Sequence, residues 1–179
     1  MTCSTPHRAL VILLVGAFSL SLPPACASHA STAAPALSSE VVFIGDATES
    51  TLKTFLETPA ETWAWAGGTF DSPAPAAVLP HDEPFLFSWH ADPTDTANAG
   101  AAAQGQMIYW LVFSSPTHQP LLRVFTTESS YTPDAQAWQK LVTAGEPISL
   151  SLTTATFDGA LPTPEGGPYR GQLLTFTLD

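Results

Sequence analysis

The sequence predicts an all-β fold, a two-sheet antiparallel sandwich of about seven strands with one short helix over residues 133–144. Three observations lead there. Short runs after Phe70 alternate apolar and polar residues with the period of half-buried strands. The runs are separated by Pro, Gly, Asp and Asn, the residues that turns require. The composition pairs 45% hydrophobic residues with only 12% charged residues and 17 prolines, which suits strands and turns coated in Ser and Thr better than long salt-laced helices. A chain of 179 residues accommodates one such domain with a proper core and little beyond it.

The chain opens on a different pattern. His7 and Arg8 precede the apolar run ALVILLVGAFSLSL, followed by Pro23-Pro24 and small residues. This is the three-part organisation of a signal peptide over residues 1–25, because the run is shorter than the ~20 apolar residues a membrane span needs. Two processing routes remain open at LPPACAS. Ala25-Cys26-Ala27 offers the small-x-small pattern of ordinary cleavage, releasing a chain that starts at Ser28. Alternatively Cys26 becomes the first mature residue and is lipidated, in a motif similar to the bacterial lipobox, although Pro23 occupies the position where an aliphatic residue is expected. Cysteine arithmetic favours lipidation. Of the two cysteines, Cys3 leaves with the leader, and a lone thiol in an oxidising compartment is otherwise unexplained. Residues 26–39, rich in Ser and Ala, then read as a flexible tether.

Residues 40–68 form a lead-in segment that packs on the domain, with VVFI at Val41–Ile44, a helical turn around Thr51 to Leu56, and the pair Trp63 and Trp65. The domain proper runs over residues 69–179. In PFLFSWH, Phe85, Phe87 and Trp89 share one face. In MIYWLVFSS, Tyr109, Leu111 and Phe113 alternate with Ile108, Trp110 and Val112, so that strand is apolar on both faces and needs cover on each. LLRVFTT continues the series. The run ISLSLTT sets Ile148, Leu150 and Leu152 against Ser149, Ser151 and Thr153, one face dry and one wet. The last strand repeats this with Leu174, Phe176 and Leu178. The helix is marked by Thr132 as cap, Pro133 at the first helical position, Asp134 at the positive end of the dipole and Gly145 as the left-handed stop. Its inward stripe is Ala135, Trp138, Leu141 and Val142.

These runs, from FDSP through PFLFSW, IYWLVF, LLRVFTTESSYTP, ISLSLTTATF and LLTFTL, resemble the strand plan of immunoglobulin-like and fibronectin type III-like sandwiches. The SYTPDA..W stretch is similar to predicted lipoproteins of uncharacterised activity from environmental Gram-negative bacteria. The resemblance covers residues 69–179 and implies seven strands in two Greek-key sheets. It implies no activity, since such sandwiches serve adhesion, spacing and carbohydrate binding alike.

Charge narrows the partners. The net charge of −11 comes from 16 acidic residues against five cations, Arg8, Lys53, Arg123, Lys140 and Arg170, which are scattered along the sequence. Nucleic acid has nothing to grip, and anionic lipid is no better served. Contact with the membrane is therefore expected through the lipid anchor alone, with a protein or a glycan as the remaining class of ligand.

No catalytic, cofactor or metal site is assigned. Asp92, Asp95, Asn98 and Gly100 could offer oxygens to calcium, but their spacing is not that of an EF-hand, and Asx turns account for them. His81, with Asp82 and Glu83 beside it, His90 and His118 lack close ligand spacing and read as surface or turn residues. No nucleophile elbow, cysteine-based arrangement or phosphate loop is present, which leaves a metal-assisted hydrolase as the rival class. Trp63, Trp65 and Trp110 form a candidate sugar-stacking platform, against the simpler expectation that they pack in the core. The expected protein is an exported one of the cell envelope, at the outer membrane if lipidated, or a secreted one, with a binding or structural role.

Overall fold

The computed structural model describes residues 41–62, 67–91, 105–118 and 120–179. The leader, Cys26, the tether, Trp63, Trp65, Asp92, Asp95, Asn98 and Gly100 lie outside the described residues. In chain order the elements are β1 (Val41–Ile44), α1 (Glu49–Glu57), β2 (Gly68–Ser72), β3 (Val78–Leu79), β4 (Phe87–Ala91), β5 (Gln106–Ser114), β6 (Leu122–Thr126), β7 (Ser130–Tyr131), α2 (Ala135–Ala144), β8 (Ile148–Asp158), β9 (Leu161–Pro162) and β10 (Tyr169–Leu178). The protein is β-rich, with a mixed, curled seven-stranded sheet ordered β1-β6-β5-β8-β10-β3, β9 pairing off β8, and a small sheet ordered β2-β4-β7.

The long pair β5 and β8 sits at the middle of the large sheet. Its antiparallel register sets Leu111 against Leu152 and Phe113 against Leu150 on one face, and Ile108 against Ala155 on the other. All six are buried. On the first face the small sheet supplies Phe87, Trp89 and Tyr131, and α2 supplies Trp138 and Leu141. Phe87 is the hinge of this layer, with its ring 5.2 Å from Phe113 and 5.4 Å from Phe176. On the opposite face α1 lays Leu52 and Phe55 over Ile108, Phe125 and Phe157. Phe55 stands edge-on to Phe125 at 5.4 Å and stacks on Phe157 at 6.4 Å. Each face of the doubly apolar strand is thus closed by a different kind of layer.

Local chemistry starts and stops both helices. Thr48 caps α1, its hydroxyl accepting from the Thr51 amide at 3.2 Å, and Asp134 caps α2, its carboxylate accepting from the Ala137 amide at 2.7 Å. Gly145 ends α2 at φ +61°, a left-handed conformation that costs glycine little. Where β2 passes β10 there is no room for side chains. A Cβ on Gly171 would run into the Gly68 backbone, at the point where the register of β10 shifts between Arg170 and Leu173. The amide of Phe70 then donates to Gln172 Oε1 at 2.9 Å, fastening the small sheet to the large one.

The predicted antiparallel seven-stranded sandwich is corrected in three respects. The large sheet is mixed, because β1 runs parallel to β6 and β3 parallel to β10. The layers are unequal, seven strands against three, and β3 in the first and β7 in the second are only two residues long. Among the described residues there are two helices instead of one, the turn expected around Thr51 to Leu56 lying within α1. The second helix begins at Ala135, and its cap is Asp134 in place of Thr132, with Pro133 outside the helix. Ala135 is exposed and Ala137 takes its place on the buried stripe. No described helix is long and apolar enough to cross a membrane.

The three tyrosines of the chain share one electrostatic bias. Burial, with the Asp134 charge added, pushes the Tyr131 phenol up to about 12. Burial raises Tyr109, partly offset by a hydrogen bond with the Ala91 backbone, and burial with the charges of Glu61 and Glu165 raises Tyr169. A phenol raised in the folded state leaves stability intact below its unfolded value near 10 and removes it as pH climbs toward the folded value. Tyrosinate absorbance of the native protein should therefore lag that of free tyrosine and rise together with alkaline unfolding between pH 10 and 12; a simple transition near pH 10 with the fold intact would refute this. Phe55→Ala should cost roughly 3–5 kcal/mol through loss of the outer cover, read as a lower denaturation midpoint at unchanged m-value.

Candidate functional site

Helix α2 carries two stripes. Ala137, Trp138 and Leu141 face the core, and Trp138 is fixed further by its Nε1–H donating to the His81 carbonyl at 3.0 Å. That orientation places Gln136, Gln139, Lys140 and Thr143, spaced i, i+3, i+4 and i+7, along one lateral line. The connection from β5 to β6 faces this line. It is a tight turn, with Ser115 N–H donating to the His118 carbonyl at 2.8 Å and the His118 amide donating to Ser115 Oγ at 3.1 Å. Between the two runs an open groove of about 510 Å³, floored by Pro120 and Leu121 and walled by the helical line. Beyond Lys140 and Leu121 a second hollow of about 330 Å³ continues toward Val41, Val42 and Arg123. Both volumes fall in the range of small-molecule sites.

A latch joins the β5–β6 turn to the end of α2. Glu146, just past the Gly145 stop, accepts from the Thr117 hydroxyl at 2.8 Å and from its amide at 3.4 Å. These bonds, the hydroxyl first, with Ser115 and the neighbouring His118 adding to them, hold the Glu146 carboxyl below the usual carboxylate range. The turn is thereby tied to the end of the helix that forms the opposite wall. Lys140 makes no ion pair among the described residues, whereas Lys53 pairs with Glu57 at 3.9 Å.

A second cluster lies on the solvent face of the small sheet. Asp71 Oδ1 is 2.8 Å from His90 Nδ1, and His90 Nε2 is 3.3 Å from Thr69 Oγ1. With the carboxylate accepting from Nδ1–H, Nε2 is left to accept from the hydroxyl, a carboxylate–imidazole–hydroxyl chain in form. Its surroundings argue against catalysis. The His90 and Asp71 side chains are each about half exposed, at 52% and 51%, and Thr69 is the direct cross-strand neighbour of His90. Pairing of polar side chains across a wet sheet face explains the contact fully.

The histidines singled out from the sequence occupy three separate elements. His81 lies in the loop before β4, its Nδ1 3.8 Å from Asp179 Oδ1, with Asp82 and Glu83 exposed beside it. His90 is on β4, and His118 is in the groove wall. Among the described residues no three His, Cys, Asp or Glu side chains converge in a way that could hold a metal. Trp110 belongs to the second core, 6.0 Å from Phe125 and 6.5 Å from Phe55, so its ring is used in packing and is only partly open to a sugar.

The groove was not visible in the sequence. Lys140 stood out there as one of five scattered cations, and Gln136, Gln139 and Thr143 were not singled out. The one available signal was their i, i+3, i+4, i+7 spacing around a cation in an acidic chain. The chain matches no family model and no curated protein.

Removing the latch should be measurable. Thr117→Val deletes the hydroxyl donor, so the Glu146 carboxyl should titrate higher, back toward the ordinary range. A depressed carboxyl contributes stability above its unfolded value and loses it as pH falls through the folded one; the variant should therefore lose less stability on acidification than the parent. An unchanged Glu146 titration in the side-chain NMR spectrum would show the latch to be idle.

Proposed function

We propose that this protein is exported and works at the cell envelope by binding, held there by a lipid on Cys26 or, where cleavage follows Ala27, released as a secreted form. The observation that carries this reading is the leader itself. An apolar run of h-region length behind His7 and Arg8, ending in Pro23-Pro24 and the small residues around Cys26, has a direct use in export. The low-charge stretch from Ala27 to Ser39 supports a tether, and the resemblance of SYTPDA..W to predicted bacterial lipoproteins points the same way. The architecture is proposed to be a variant of the fibronectin type III-like plan, with its second sheet reduced and a helix laid over the outer face.

The binding role draws support from the groove at α2, whose size and mixed lining suit a small ligand. A carbohydrate or adhesion module remains the second reading on the strength of the tryptophans, and Trp110 weakens it by packing against Phe55 and Phe125.

Expression in a Gram-negative host with labelled palmitate should place the parent in the membrane fraction carrying label, and Cys26→Ala in the soluble exported fraction without it. A variant that still sediments with membranes would dispose of the anchor. A parent protein left in the cytoplasm at full length would dispose of export.

A further inference from the structure

We propose that the groove between α2 and the β5–β6 turn binds an amphipathic monoanion, a small molecule with an apolar body and a single carboxylate or sulfonate. The inference rests on the binding role proposed above and gives it a ligand class. Pro120 and Leu121 form an apolar floor, and the hollow beyond them extends it toward Val41 and Val42. Burial of apolar ligand surface there supplies the bulk of the affinity. Gln136 and Gln139 place amides along one wall, and Lys140 stands where the two hollows meet.

Lys140 sets the sign and the number of ligand charges. The chain carries 16 acidic residues against five basic ones, so its distant field repels anions and attracts nothing negative by steering. That field is screened within about 8–10 Å at ordinary salt, leaving a local ammonium to decide what settles beside it. Arg123 borders the second hollow but has interactions of its own within the chain. One ammonium compensates one negative charge. A second charge on the ligand would find no second free cation beside it among the described residues, which disfavours phosphomonoesters, polyphosphates and other polyanions. A neutral amphiphile would leave the Lys140 contribution unused.

The purified full chain should bind the fluorescent monoanion 1-anilinonaphthalene-8-sulfonate saturably at low ionic strength, and decanoate should displace it while decanol should not. Lys140→Gln keeps most of the side chain and removes its charge on an exposed helical position, so the fold is retained. It should weaken binding by roughly tenfold, the effect of one close charge near a protein surface. Lys53→Gln, a cation already paired with Glu57, should bind like the parent. Absence of saturable binding, equal affinity in Lys140→Gln, or displacement by decanol as effective as by decanoate would each overturn the proposal. Displacement by an acidic hexapeptide but not by decanoate would also overturn it, in favour of a protein partner. None of these outcomes bears on export, which fractionation of the parent and Cys26→Ala decides separately.

Discussion

Strand β5 buries Tyr109, Leu111 and Phe113 on one side and Ile108 on the other, and its partner β8 repeats the pattern with Leu150 and Leu152 opposite Ala155 and Phe157. A sheet that is apolar on both faces at its centre has no stable exposed form, because each uncovered face would present a contiguous hydrophobic patch to water. The rest of the molecule answers to that constraint. The inner face takes a second, smaller sheet and the end of a helix. The outer face takes α1, drawn from the segment ahead of the sandwich-like part, so that segment belongs to the fold as fully as any strand.

The groove inherits its geometry from the same packing. Trp138 and Leu141 are buried in the inner core, and their positions fix the rotation of α2 about its own axis. That rotation aligns Gln136, Gln139, Lys140 and Thr143 toward the β5–β6 turn. The turn is held by hydrogen bonds within itself and by the Thr117–Glu146 latch, so both walls rest on determinants outside the groove. A surface feature of this kind is rigid because its supports are buried or bonded, not because its own side chains are.

Legibility in the sequence followed what each pattern encodes. The alternation in β8 and β10 gave their buried faces directly, and so did that of β5, whose two apolar faces announced the need for two covers. The end of α2 was readable because Gly145 has few other uses there, whereas its start was not: Thr132, Pro133 and Asp134 offer two cap candidates in a row, and only the chain path chooses between them. Helix α1 was readable in part, its apolar positions Leu52, Phe55 and Leu56 being too few in nine residues to separate a helix from a turn. Parallel pairing was beyond reach. Period two says which face is wet and carries no information on strand direction or on a partner far along the chain. The three histidines His81, His90 and His118 lie on separate elements. The helical line around Lys140 escaped notice because a polar helix face is ordinarily just solvated.

The two edges of the large sheet are built from early residues against late ones: Val42 lies beside Val124 and Leu79 beside Leu178. During synthesis, β1 and β3 therefore emerge long before the strands that will hold them, the β1 border waiting for β6 and the β3 border for β10. Long-range pairing of this sort folds slowly, since the entropy of closing large loops is spent before native contacts return it. For a chain proposed to cross a membrane before folding, such a wiring delays premature compaction, and it leaves Phe43 and Phe55 uncovered until Phe125 and Phe157 have emerged.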